Sequence, residues 1–211
     1  MDFSKLRKDY QQQELHFDDL VDNPLILLER WLLEAIRANV LEPTAMALST
    51  ISSTGFPSCR MMLLKQLDEQ GLIFYTSNES PKAKELELKK EASLLFWWKE
   101  LERQVRIVGK IERIPSSIAA KYFSQRPRGN QLGAWVSHQS RSIPSEIVLT
   151  EELKRVEQQF KESNIPPPPW WGGYKLIPLS FEFWQGRPNR LHDRFQYTLE
   201  SNRWNIERLS P

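Results

Sequence analysis

The chain has 211 residues, with 29 Lys+Arg against 27 Asp+Glu and a formal net charge of +2. That length suits one large domain with a sizeable core, and so small a charge gives no bulk argument for a nucleic-acid or membrane partner. The single cysteine, Cys59, excludes an intramolecular disulfide, and no apolar run approaches the ~18 residues of a membrane span.

The start, MDFSKLRKDYQQQ, lacks the apolar core of an export signal, so a cytoplasmic protein is expected. Residues 1–20 are polar and read as a mobile arm, and residues 21–211 as one domain. A helix starts where Asp22 and Asn23 can cap and Pro24 suits the first turn. Leu25, Leu28, Trp31, Leu32, Ala35 and Ile36 make its apolar stripe. From Thr44 to Phe96 the pattern becomes strands: AMALSTIS, PSCRMMLLKQ and GLIFYTS are separated by the turn signals SSTG and DEQG, which predicts an antiparallel meander. A short helix from Pro81 to Lys90 leads to ASLLFWW, and LERQVRIVGKIERI supplies a long strand or a hairpin. SSIAAKYFSQ, NQLGAWVSHQ and Ser145 to Glu162 read as helices. IPPPPWWGG reads as a stiff connector, and three strand-like runs close the chain. Strands with short turns and helices inserted at intervals argue for an α+β barrel over a doubly wound sheet.

Neither GxGxxG nor GxxxxGK[ST] is present, so no Rossmann or Walker phosphate site is expected. His16, His138 and His192 stand apart from one another and from Cys59, so no metal site is expected either. Four local clusters of cations remain. CRMMLLK puts Arg60 and Lys65 in an apolar strand, where they either snorkel at its rim or meet an anion. In ESPKAKELELKK, Ser80 caps and Pro81 begins a helix, so Lys82 falls in the first turn. There the helix dipole disfavours a cation unless a phosphate shares the site, and a solvated lysine is the alternative. YFSQRPRGN places Tyr122 and Arg126 on one helical face, near Arg128 and Asn130, as a phosphate clamp or an aromatic-cation stack. In RLHDRF a strand would project Arg190, His192 and Arg194 from one face. Dispersed cations suggest two phosphates, and Tyr75, Trp135 and Trp184 would suit a planar ring.

The same clusters, in this order, resemble the pyridoxine/pyridoxamine 5'-phosphate oxidase family. The stretches that carry the likeness are RMMLLK, FYTS, LERQV, KYFSQRPR, QLGAWVSHQS, FWQGRPNRLHDRF and IERLSP. The resemblance implies an FMN-binding split β-barrel with peripheral helices, working as a homodimer with flavin sites at the subunit interface. It implies FMN contacts from Arg60, Met61, Met62, Leu63, Leu64 and Lys65, from Tyr75, Thr76 and Lys82, and from Gln104, Gln139, Ser140, Trp184 and Arg194. Lys65, Tyr122, Arg126 and Asn130 would hold the substrate phosphate, with Arg190, Leu191 and His192 at its ring. Arg190 and His192 would be the catalytic pair, and Arg7, Lys8, Asp9 and Tyr10 would fold over the substrate. The implied reaction is oxidation of pyridoxamine or pyridoxine 5'-phosphate by oxygen to pyridoxal 5'-phosphate, releasing hydrogen peroxide.

Two positions depart from the family pattern. Pro81 stands where arginine is usual, removing a charge and a backbone donor, and Asn130 stands where serine is usual. Arg60 and Lys65 would face opposite sides of a regular strand, so a bulge, or contacts near the strand's two ends, is expected. Other uses of such a chain predict different behaviour: a general FMN reductase would be reduced by NAD(P)H, and a carrier of flavin or pyridoxal phosphate would not turn over.

Overall fold

The computed structural model describes residues 1–6 and 9–211; Arg7 and Lys8, expected over the substrate, lie outside the described residues. Helix α1 (Pro24–Arg37) begins as its sequence dictates: the Asn23 side chain accepts from the Leu25 N–H at 3.0 Å and Pro24 occupies the first position. Its stripe is buried through Ala35, while Ile36 turns outward at 51% exposure. Strands β1 (Ala45–Ile51) and β2 (Pro57–Leu63) form the first hairpin, and β3 (Gln66–Asp68) and β4 (Gly71–Ser77) the second.

Leu64 and Lys65, between β2 and β3, close the barrel. The Leu64 N–H donates to Thr44 and the Lys65 N–H to Ile73, each at 2.9 Å, so one stretch of chain pairs first with β1 and then with β4. Helix α2 (Pro81–Leu88) follows, then β5 (Glu91–Trp98) and β6 (Arg103–Arg113), which is one strand and not a hairpin. Helices α3 (Ser116–Ser124), α4 (Arg128–Val136) and α5 (Glu146–Gln159) come next. Strands β7 (Trp171–Gln185), β8 (Asp193–Glu200) and β9 (Arg203–Arg208) finish the chain.

The sheet order is β2-β1-β5-β6-β7-β4-β3, with every pairing antiparallel. β7 is shared: its first half pairs with β4 and its second half, from Ser180, with β8, which in turn pairs with β9. Between the halves Val108 faces Ser180 and Gly109 faces Pro178, so Leu179 is an extra residue that bends the strand where Pro178 has no N–H to give. The main core fills the barrel and the inner face of α1, with Trp31, Phe96, Trp98, Phe181 and Phe183 all buried. A second cluster, Phe123, Leu132, Val156, Phe160 and Ile165, knits α3, α4 and α5 together. Among the described residues no helix is long and apolar enough to cross a membrane.

Candidate functional site

Two hollows that share no lining residue gather most of the expected site residues. The first, about 490 Å³, lies between the outer side of β2 and β4 and the helices α3 and α4. Lys65, Tyr122, Arg126 and Asn130 all line it, together with Met61, Met62, Leu63, Tyr75, Thr76 and Gln139. The parity question resolves itself here, because the strand breaks at Leu64–Lys65 and releases Lys65 from the alternation that sets Arg60. Leu64 instead turns into the core at 5% exposure.

Arg126 dominates this hollow electrostatically. Its guanidinium lies 4.5 Å from the Trp171 ring centroid and 5.8 Å from that of Phe123, yet Nη1 is buried without a hydrogen-bond partner. Burial pulls its pKa down, with the Tyr122 phenol opposing. A buried guanidinium N–H left unmatched is costly, and an anion's oxygens are its natural complement. Tyr75 stacks on Tyr122 at 3.9 Å, and burial raises both phenols, so each stays a neutral donor at physiological pH.

At the rim stands the N-terminus of α2. Ser80 caps it, accepting from the Ala83 N–H at 3.3 Å, and Lys82 is 6% exposed in the first turn. Lys82 Nζ donates to Thr76 Oγ1 at 3.3 Å and Gln139 Oε1 at 3.1 Å, both neutral acceptors. Burial first and Arg60 second lower its pKa, while Glu85 opposes. Arg60 itself turns toward Glu85, 3.0 Å away, and does not line the hollow. Two cations thus share one nearby carboxylate at a helix N-terminus, an arrangement that favours a phosphate.

The second hollow, about 620 Å³, is lined by Trp184 at the end of β7, by the turn after it, and by the segment before α1. The strand expected across RLHDRF begins only at Asp193. Asn189 and Arg190 take left-handed φ values of 55° and 62° in a 3-10 turn, so Arg190, His192 and Arg194 do not form one strand face. Arg190 and His192 line the hollow, Leu191 is 68% exposed outside it, and Arg194 is drawn away to Glu182, 2.8 Å from its Nε, and to the Ser210 carbonyl. The Arg187 N–H donates to His192 Nδ1 at 3.1 Å. Burial, then Arg190 and Arg194, lower the imidazole pKa against Asp193.

Asp9 and Tyr10 line the same hollow, with the Tyr10 ring edge-on to Trp184 at 5.6 Å and to His192 at 5.8 Å. Gln104 sits one strand away, paired with Trp184 across β6 and β7.

Other expectations are redirected. Ser140, in a left-handed turn, lines a separate hollow beside α5. Trp135 packs on Phe160 and Trp170 and bonds the Pro166 carbonyl, so it serves the second core. Arg128 donates to the Phe160 carbonyl at the end of α5. The tryptophans of IPPPPWWGG, read as a connector, are walls of the first hollow. Gly173 explains how: a Cβ there would come within 2.8 Å of Tyr75 Cδ1, so only glycine lets Tyr75 settle beside Trp171. A WW pair before two glycines was the available signal. Glu182, which holds Arg194, had none beyond one buried-facing carboxylate in a strand. No group of three or more His, Cys, Asp or Glu able to hold a metal occurs among the described residues.

Comparison with known proteins bears on the family and the fold. The family model described as pyridoxamine 5'-phosphate oxidase matches residues 32–160, and the one described as pyridoxine 5'-phosphate oxidase C-terminal dimerisation region matches residues 171–211. A pyridoxine/pyridoxamine 5'-phosphate oxidase of Cyanothece sp. is 49% identical over 99% of this chain and 98% of its own length. That of Neisseria gonorrhoeae is 46% identical over the whole of both chains. Among solved structures, PhzG from Burkholderia lata 383, determined with tetrahydrophenazine-1-carboxylic acid, is similar at a TM-score of 0.89 and 32% identity, covering 95% of this chain and all of that one. A pyridoxamine 5'-phosphate oxidase-related, FMN binding protein from Nostoc punctiforme shares the fold at a TM-score of 0.72 and 17% identity, over 91% of this chain and all of that one. Full-length identity near one half, on a split barrel and with family models that match residues 32–160 and 171–211, makes this chain a member of the pyridoxamine 5'-phosphate oxidase family.

Proposed function

We propose that this chain oxidises pyridoxamine 5'-phosphate and pyridoxine 5'-phosphate to pyridoxal 5'-phosphate, using FMN and molecular oxygen, as a homodimer with a flavin at each of two interface sites. The observation that carries the reading is the pair of separate cations, half-buried Arg126 with its buried Nη1 and buried Lys82, neither of which has a carboxylate hydrogen-bonded to it among the described residues. Two such places call for two phosphates, one on the substrate and one on the flavin. The residues fit FMN: Lys82, Thr76, the α2 N-terminus and Gln139 would hold its phosphate end, with Arg60 close behind and Met61, Met62, Leu63 and Lys65 along one side. Gln104, Trp184 and Arg194 belong to the opposite half of the site and would come from the partner subunit. FMN, when bound, supplies the two-electron acceptor for a hydride from substrate C4' and returns those electrons to oxygen as hydrogen peroxide.

The chain's own residues do the rest. Lys65, Tyr122, Arg126 and Asn130 anchor the substrate phosphate and so fix the ring's position. Arg190 and His192 address the ring from the other half. Because His192 Nδ1 accepts the Arg187 N–H and its pKa is lowered, the ring is neutral at physiological pH and carries its proton on Nε2, where it donates to an oxygen or nitrogen of the substrate. The alcohol substrate gives the aldehyde directly; the amine gives an imine that water cleaves to aldehyde and ammonia. Pro81 removes one N–H from the α2 N-terminus, so Lys82 carries more of the phosphate's charge than an arginine-bearing start would ask of it.

The test is spectroscopic. The purified protein should be yellow, lose its visible flavin bands when pyridoxamine 5'-phosphate is added without oxygen, and release peroxide in air. A flavin that NAD(P)H bleaches and pyridoxamine 5'-phosphate does not would refute the reading.

A further inference from the structure

We infer that Glu102 is a positioning residue whose buried carboxylate holds the segment before α1, and with it Tyr10, against the turn that carries His192. The consequence for substrate rests on the function proposed above; the pinning itself does not. Glu102 closes the 3-10 turn between β5 and β6 in a left-handed conformation, φ 54°, that a side chain rarely adopts, and it is only 1% exposed. A carboxylate that deep must be matched by donors. Its Oε2 accepts from the backbone N–H groups of both Gln11 and Gln12, at 2.7 and 3.1 Å. Its backbone carbonyl accepts the Gly186 N–H at 2.8 Å. One residue therefore ties the N-terminal segment and the start of the His192 turn to the same point.

The packing between them is close. A Cβ on Gly186 would lie 2.7 Å from Tyr10 Cγ and 3.1 Å from Glu102 Cβ, so the glycine is what allows the tyrosine to approach the turn this closely. The neighbouring ties are weaker candidates for the same task. Glu14 meets Arg187 at 2.6 Å, but its side chain is 52% exposed and the pair is screened. Hydrogen bonds from amides to a buried carboxylate are charge-assisted and unscreened; Asp193 makes one such bond further along, to the Leu15 N–H at 3.1 Å, and Glu102 makes the two that adjoin Tyr10. Nothing in the reaction requires a carboxylate there. Its placement is explained by the segment that it holds.

Chymotrypsin reads this directly, since it cuts after Tyr10, at the Tyr10–Gln11 bond next to the pinned amide. In the flavin-loaded protein, Glu102→Ala should raise cleavage at that bond about tenfold, because local opening now breaks no charge-assisted pair. Glu102→Gln keeps an oxygen able to accept both N–H groups and should restore most of the protection. With pyridoxamine 5'-phosphate, Glu102→Ala should raise KM severalfold and leave kcat near wild type, the split expected of a binding wall out of place. If Glu102→Ala does not fold, Gly186→Ala displaces Tyr10 from the other side and should expose the same bond. Unchanged cleavage in a folded Glu102→Ala or Gly186→Ala protein overturns the pinning. Raised cleavage with an unchanged KM overturns its service to the site. Absence of any turnover in the wild type would overturn the functional reading alone, and the cleavage pattern would still decide the role of Glu102.

Discussion

The two hollows are made in different ways. The first is walled mainly by regular elements, with Lys65 at a strand break, Tyr122 and Asn130 on helices, Arg126 in the short link between α3 and α4 and so not on a helical face with Tyr122, and Tyr75, Tyr122 and Trp171 stacked between them. The second is walled by a left-handed turn and by a polar segment that reaches its place through hydrogen bonds to Glu102 and Asp193. The first carries an unmatched guanidinium N–H on Arg126. The second sets Arg187, Arg190 and His192 beside Asp9 and Tyr10. Anchoring a phosphate calls for a fixed charge, whereas enclosing a ring that must enter and leave calls for a wall that is held but not welded.

That contrast can be broken most sharply at Arg126. Arg126→Met should lower kcat/KM for pyridoxamine 5'-phosphate about a hundredfold, ~3 kcal/mol, mostly through KM. It should leave the melting temperature unchanged or raised, because a half-buried cation with one buried, unmatched N–H is replaced by an apolar side chain on Trp171. A large loss of stability with little change in KM would mean that the guanidinium is structural, and the contrast would fail.

A smaller effect is expected in the second hollow. His192→Ala should cost about thirtyfold in kcat/KM, ~2 kcal/mol, and His192→Gln, whose amide places an N–H near the Nε2 position, should recover part of it. Equal losses in both variants would exclude a donor at Nε2. The smallest effect is the pH dependence of the wild type. The His192 pKa is lowered, so its neutral form persists below the ordinary histidine range; as pH falls through that lowered value, protonation takes away the Nδ1 lone pair that accepts the Arg187 N–H. The acid limb of kcat/KM should therefore lie below the usual histidine pKa, and an NMR titration of the His192 ring should give the same midpoint. A limb at or above the ordinary value would remove the case for a neutral ring.

Much of this was legible in the chain. Asn23-Pro24 and Ser80-Pro81 announced two helix starts, and SSTG and DEQG announced two hairpins, because caps and turns act over a few residues. The strand break at Leu64–Lys65 was foreshadowed by the parity of Arg60 and Lys65. The RLHDRF strand failed because nothing local announces that Asn189 and Arg190 will adopt left-handed backbone; Pro188 and the tie from Arg187 to His192 set that turn. Glu102 and Glu182 were silent, and the signal of the Trp170–Trp171 pair did not say what it walls, for a related reason. Their partners lie far off in sequence: Gln11 is 91 residues before Glu102, and α4 and α5 intervene between Arg126 and Trp171.

β7 carries a last consequence. Trp171, at one end of this strand, walls the first hollow, and Trp184, near the other end, walls the second. At a strand's rise per residue they stand on the order of 40 Å apart along it, too far for one small substrate to touch both. In the proposed dimer each site then draws its halves from different chains, which makes the lesions genetically separable. A chain weakened at Arg126 and a chain weakened at His192, each far below wild type alone, should complement when co-expressed. Every mixed dimer would hold one doubly damaged site and one intact site, and a culture carrying both defective copies would regain activity that neither copy encodes by itself.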